Sequence, residues 1–165
     1  MDGERCYFFT LEIEPMEVGD IYEVMPLHCT LMPRFFSHLP PDDLIDQVQT
    51  LLEQTKPISL IPMERTAFGP HRVMAAMIKT TPTVLELHAA LYYQLKQLDV
   101  RNTETDWVGP GYLPHVTDQA NSVLPINKAF RSRAIYLIEV EHPLDGKRRF
   151  IRSKIDLSFQ ATRTL

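Results

Sequence analysis

Residues 27–31 read Leu27-His28-Cys29-Thr30-Leu31, and residues 112–117 read Tyr112-Leu113-Pro114-His115-Val116-Thr117. Each stretch sets a histidine and a threonine two positions apart within a segment that reads as extended. Side chains at i and i+2 of a strand point to one face. His28 and Thr30 therefore stand side by side with Cys29 turned to the opposite, buried face, and His115 and Thr117 do the same around Val116. About half of the 165-residue chain separates the two histidines. A site built across a pseudo-twofold axis requires such a spacing, one half of the chain supplying each pair.

The segments around these motifs alternate between strand and helix character. Arg5 to Ile13 is β-branched and aromatic enough for a buried strand. A connection around Pro15 and Gly19 leads to the first histidine strand, expected over about Leu27 to Met32. Pro40-Pro41-Asp42-Asp43 reads as a helix start, with acidic residues in the first turn. Leu44, Ile45, Val48, Leu51 and Leu52 recur at helical spacing before Pro57. Ile58 to Phe68 and Arg72 to Lys79 read as two strands joined at Gly69-Pro70-His71. A second helix is expected from about Pro82 to Asp99, with Val84, Leu87, His88, Leu91, Leu95 and Leu98 on its buried face. Strands at about Arg133 to Glu141 and Arg148 to Leu157 flank a turn at Asp145-Gly146. The resulting order, β-β-α-β-β-α-β-β-β, is an α+β pattern.

Composition narrows the class of function. A 44% apolar, 23% charged chain is ordinary globular material, with core enough for one domain or two small lobes sharing an interface. No apolar run approaches the roughly 18–20 residues of a membrane span. The acidic start, Met1-Asp2-Gly3-Glu4-Arg5, lacks the apolar stretch of a signal peptide, so a cytoplasmic location is expected. Cys6 and Cys29 read as reduced thiols rather than a disulfide framework. A net charge of −4 argues against a general nucleic-acid binder, yet leaves room for a nucleotide or one RNA terminus held by a local cluster of donors.

Two imidazoles and two hydroxyls around one cleft are the parts of a phosphodiester-cleaving site that needs no metal. One imidazole takes a proton from the incoming oxygen and the other gives one to the leaving oxygen; a side-chain pKa near 6.5 suits histidine to both tasks. Thr30 and Thr117 would donate to the non-bridging oxygens, where charge grows in the transition state. The competing reading, ordinary strand residues, applies to threonine above all, which is common in strands. The other histidines read as structural: His88 as a hydrogen-bonded core residue, and His38, His71 and His142 as solvated residues near turns. A zinc site using His28, His115 and a third histidine finds no ligand spacing in its favour, so neither metal nor cofactor is expected. Arg34 and Gln119 lie four or more residues beyond the two histidines and would share the active face if each strand continued; Tyr112 precedes His115 by three. These three are candidate substrate-binding residues, with Phe36, Phe68 and Trp107 as candidate base-stacking aromatics. The basic run Lys147-Arg148-Arg149, with Arg152 and Lys154, reads as a solvated hairpin face, against the alternative of an RNA-backbone track.

Taken together, these stretches resemble the two-histidine (2H) phosphoesterase superfamily, which includes 2′-5′ RNA ligases and RNA 2′,3′-cyclic phosphodiesterases. The resemblance covers most of the chain, from Tyr7–Ile13 through Leu27–Leu31, the strand pair around Phe68-Gly69 and the Leu87-His88-Ala89-Ala90-Leu91 helix to Tyr112–Thr117. It implies one bilobal domain over residues 1–165, with two pseudo-symmetric lobes of antiparallel sheet, helices outside and the active cleft between them. It further implies a monomeric, metal-independent phosphodiesterase acting on 2′,3′-cyclic or 2′-5′-linked nucleotides or RNA ends, with His28 and His115 catalytic. The alternative on the same fold is a module that holds a nucleotide or RNA end without turnover. One position departs from the family pattern: Asp118 stands where an apolar residue is usual, implying an early end to the second strand or a distinct site edge.

Overall fold

The first strand sets the architecture, because both of its faces are apolar. In the computed structural model, which describes residues 3–119, 121–142, 144 and 148–157, the chain runs β1 (Arg5–Glu12), β2 (Ile21–Tyr22), β3 (His28–Ser37), α1 (Pro41–Glu53), β4 (Ile58–Leu60), β5 (Pro62–Phe68), β6 (Val73–Ile78), α2 (Pro82–Lys96), β7 (Arg101–Asn102), two 3₁₀ turns (Thr105–Trp107 and Gly109–Gly111), β8 (His115–Thr117), β9 (Phe130–Ser132), β10 (Ala134–Glu141) and β11 (Arg148–Asp156). The larger sheet has the order β2-β11-β10-β1-β3-β7, the smaller one β5-β6-β8, and β4 pairs with β9. Every pairing is antiparallel. This is the α+β arrangement expected from the sequence.

Tyr7, Phe9 and Leu11 of β1 face the main core, which they share with Leu44, Val48 and Leu52 of α1 and Val84, Leu91 and Leu95 of α2. Helix α1 begins with a proline in its first turn followed by Asp42 and Asp43, and α2 is capped by the Thr81 hydroxyl, which accepts from the Val84 N–H. Cys29 and Leu31 of β3, and Ala76 and Val116 of the smaller sheet, enter the same core. Both sheets thus turn one face to a common interior and the other away from the helices. On the larger sheet that second face carries its own cluster, with Phe8, Met16, Met25, Tyr136, Ile138 and Ile151.

Three boundaries differ from the sequence reading. The stretch Ile58 to Phe68 is two strands in different sheets, broken at Ile61, whose carbonyl accepts from Lys79 N–H while β4 leaves to pair with β9. Helix α2 stops at Lys96 rather than Asp99, which lies in the left-handed region at φ 56°. Strand β3 continues through Pro33 to Ser37, because two register shifts against β1 absorb the proline. The expected turn at Asp145-Gly146 lies outside the described residues. No helix is long and apolar enough to cross a membrane, among the described residues.

Candidate active site

His28 begins β3 and His115 begins β8, and both line one cleft of about 750 Å³ between the two sheets. The strand alternation works as expected at both motifs: Cys29 and Val116 are fully buried, whereas His28, Thr30, His115 and Thr117 are half-buried on the other face. The backbone holds each imidazole in the same way. His28 Nδ1 lies 2.8 Å from the Pro26 carbonyl and His115 Nδ1 lies 2.9 Å from the Leu113 carbonyl, in each case two residues upstream. A carbonyl only accepts, so each Nδ1 carries hydrogen and each Nε2 is left without a partner among the described residues.

Burial pushes both imidazoles below the ordinary histidine pKa, and the charges around them differ. At His28, the carbonyl of Pro26 opposes the shift while the positive charges of Arg149 and His115 add to it. At His115, the Leu113 carbonyl and the negative charge of Glu104 both oppose it. Aromatic rings flank both: Phe68 packs on His115 with centroids 4.0 Å apart and on Trp107 at 5.0 Å, and Phe8 lies 6.2 Å from His28.

The supporting shell ties the two sheets together at the motifs. Tyr112 donates its hydroxyl to the Thr30 carbonyl at 2.8 Å. Its ring stacks on His88, with centroids 3.9 Å apart and planes within 5°. His88 bridges in turn, Nδ1 donating to the Leu31 carbonyl at 2.7 Å and Nε2 accepting from Gly109 N–H at 2.8 Å. Glu14 Oε1 accepts from Leu27 N–H at 2.8 Å and from the Ser122 hydroxyl at 3.0 Å, joining the start of the His28 strand to the turn beyond β8. Behind Thr117, the Asp118 N–H continues the ladder to Met74, and its carboxylate pairs with Arg65 of β5. The strand β8 does end at Thr117, and Asp118 braces that end across β6.

The remaining sequence candidates divide. Arg34 and Gln119 line the cleft with Thr30, whereas Thr117 stands on the matching face of β8 without being part of the lining. Tyr112 also borders the cleft, but it is buried and its hydroxyl is spent on Thr30, so its place is in the scaffold. Phe36 is covered by the Arg101 guanidinium at 4.5 Å. Of the basic run, Arg148 and Arg152 pair with Glu141 and Glu139 of β10 and Lys154 with Glu12 of β1, while Lys147 lies outside the described residues. Arg149 differs: it turns into the cleft beside His28. Strand phase could have found it, since it sits two residues before Ile151, which is buried on that face. Glu104 carried no local signal; the fold of the Thr103–Trp107 segment brings it to His115. His71 lines the cleft as an exposed turn residue, and His38 and His142 stand beside Glu4 and Glu141. Among the described residues, no three His, Cys, Asp or Glu side chains converge as metal ligands.

A sequence profile described as the 2′-5′ RNA ligase superfamily matches residues 13–139. The fold is similar to several solved structures over nearly their whole length. A structure described as a phosphoesterase is 15% identical with a TM-score of 0.61, covering 94% of this chain and 99% of that one. LigT of E. coli in complex with NADP+ is 15% identical with a TM-score of 0.58, covering 94% and 98%; the same protein has been solved with 3′-AMP and with ATP. TT0787 of Thermus thermophilus is 15% identical with a TM-score of 0.56, covering 92% and 97%. No curated protein sequence matches the chain.

Proposed function

Since the chain belongs to the 2′-5′ RNA ligase superfamily of two-histidine phosphoesterases, we propose that it cleaves 2′,3′-cyclic phosphates or 2′-5′ linkages of nucleotides and RNA ends by proton transfer at His28 and His115. The observation that carries this reading is the matched anchoring of the two imidazoles. Each Nδ1 is tied to the carbonyl two residues upstream, and each Nε2 is free at one cleft.

We assign the base to His28, which has the positive charge of Arg149 beside it, and the acid to His115, which has the negative charge of Glu104. The Nε2 of His28 takes a proton from the attacking water or hydroxyl as that oxygen bonds to phosphorus. His115, whose proton Glu104 helps to retain, gives it to the leaving ribose oxygen as the phosphorus–oxygen bond breaks. Thr30, and Thr117 on the matching face of β8, donate to the non-bridging oxygens. Every proton transfer and hydrogen bond in this scheme belongs to a side chain, so turnover is expected to survive exhaustive EDTA treatment. Phe68 and Trp107 offer a stacking surface for a base next to His115. The nucleotide complexes of LigT support a nucleotide as the ligand class. The whole chain acts here as one bilobal unit, and two buried free thiols suit a reducing, cytoplasmic setting.

The test is direct. Adenosine 2′,3′-cyclic phosphate and 2′-5′-linked diadenylate are offered without metal, and the product isomers are identified by chromatography. Turnover that His28→Ala and His115→Ala each abolish is the expected result. Binding without turnover would make the protein a nucleotide-binding module, and activity indifferent to both substitutions would remove the site from this cleft.

A further inference from the structure

Among the described residues, four half-buried arginines bear on the two sheets, namely Arg5, Arg34, Arg65 and Arg149. Arg5 lies 3.8 Å from Glu139, and Arg65 is paired with Asp118. The two that line the cleft have no carboxylate. The Arg34 guanidinium makes no hydrogen bond or ion pair among the described residues, and Arg149 has only the backbone carbonyl of Glu23. They stand on the same face of the larger sheet. Arg149 lies opposite Val140, Val140 opposite Cys6 and Cys6 opposite Phe36, with Arg34 two residues before Phe36. Arg34 and Arg149 thus flank Cys6 and Val140 from β3 and β11, and the partly buried Arg149 lies within the field of the Arg34 charge. Like charges set together in a partly desolvated place, with no acid between them, raise the free energy of the empty site, and an anion relieves it.

From this arrangement we propose that Arg34 and Arg149 form a second anion subsite beside the phosphate position of His28 and His115, so that the preferred ligand is a nucleotide carrying two phosphates. This rests on the reading of the cleft as a nucleotide site and adds a substrate class to it. One phosphate lies between the histidines. The other is gripped by the paired guanidiniums, whose planar forks suit phosphate oxygens. A third arginine on the same row, Arg101, takes no part: it is spent on Glu4 at 2.9 Å and on the Phe36 ring.

Binding rather than turnover tests this. Trp107, the single tryptophan of the chain, lines the cleft, so its fluorescence reports occupancy. Adenosine 3′-monophosphate and adenosine 3′,5′-bisphosphate are titrated into the full-length protein and into Arg34→Met and Arg149→Met. The bisphosphate is expected to bind the unaltered protein about 10–100-fold more tightly, the gain of one or two charge-assisted hydrogen bonds. Either substitution should bring the ratio of the two dissociation constants close to one, and added salt should shrink it. Equal affinities in the unaltered protein, or a preference that survives both substitutions, would overturn the subsite while leaving the nucleotide reading in place. Binding of the bisphosphate with none detectable for the monophosphate would be the same preference at its limit, and either substitution should then abolish it. Failure of both ligands to bind would remove both.

Discussion

At the scale of single residues, the two imidazoles are alike in backbone anchoring and unlike in charge environment, and that difference has kinetic consequences. Catalysis needs the singly protonated pair, and burial holds both groups below the ordinary histidine value of about 6.5. The kcat/KM profile should therefore be a bell with its maximum on the acid side of pH 6.5, its limbs reporting the macroscopic pKa values of the pair. Glu104→Gln removes the negative charge that helps His115 keep its proton, so the alkaline limb should move to lower pH while the acid limb moves less. An unchanged alkaline limb would detach Glu104 from the site. His28→Ala and His115→Ala should each lower the rate by about 10²–10⁴, the usual loss for a general acid or base, and the double variant by less than the product. Thr30→Val and Thr117→Val should each cost less than either histidine change, since each removes one donor to the phosphate with little change in volume; single-turnover rates measured at the pH optimum would decide this.

At the scale of elements, the smaller sheet reaches the larger one through the segment that precedes β8, and that segment tolerates little. A Cβ on Gly111 would lie 2.1 Å from the Asp106 carbonyl oxygen, so the 3₁₀ turn must shift to accept one. Gly111→Ala should cost about 1–3 kcal/mol, the range for forcing atoms into packed space. It should also displace Tyr112, the next residue, from Thr30, lowering kcat in the folded fraction; urea titration and kinetics on the same sample separate the two effects. The brace between β5 and β8 behaves differently. Arg65 Nη1 and Asp118 Oδ1 are buried without partners among the described residues, although the two side chains meet. Asp118→Leu alone strands the Arg65 charge and should destabilise by about 1–3 kcal/mol, whereas adding Arg65→Met should restore most of the loss. Equal destabilisation by the single and double variants would show that the loss comes from the missing pair itself and not from a stranded Arg65 charge.

For the whole molecule, three histidines on the seam between the sheets make stability depend on pH. Burial lowers the pKa of His88 as it does those of His28 and His115. Above about 6.5 these groups are neutral in the folded and the unfolded chain alike and contribute no pH dependence. As pH falls below that value the unfolded chain binds protons that the folded one refuses, so stability declines toward the folded pKa values, each group steepening the slope by up to about 1.4 kcal/mol per pH unit. Protonated His88 could not accept from Gly109, which loosens the contact between the seam and the core. Melting temperatures from pH 8 to pH 5 should fall below about pH 6.5, and His88→Ala should flatten the descent while lowering stability throughout, with turnover of the folded fraction kept. A flat profile in the unaltered protein would contradict the burial of these groups.

Much of this was legible along the chain because the governing interactions are local. Period-two alternation placed His28 with Thr30 and His115 with Thr117, and turned Cys29 and Val116 inward. Helical spacing picked out Leu44, Val48 and Leu52, and the core face that carries His88. The proline at position 33 misleads only if a strand must stay in register; the shifts against β1 that let β3 run on to Arg34 depend on a partner strand. Other features belong wholly to tertiary structure. Glu104 adds negative charge near His115 from a loop beyond β7, and Glu14, just past β1, reaches Ser122 beyond β8. Arg149 meets Arg34 only because β10 and β1 lie between their strands. Side-chain phase is written every two or three residues, but which charges share a cleft depends on strand order, and strand order is decided by the burial of faces remote in sequence.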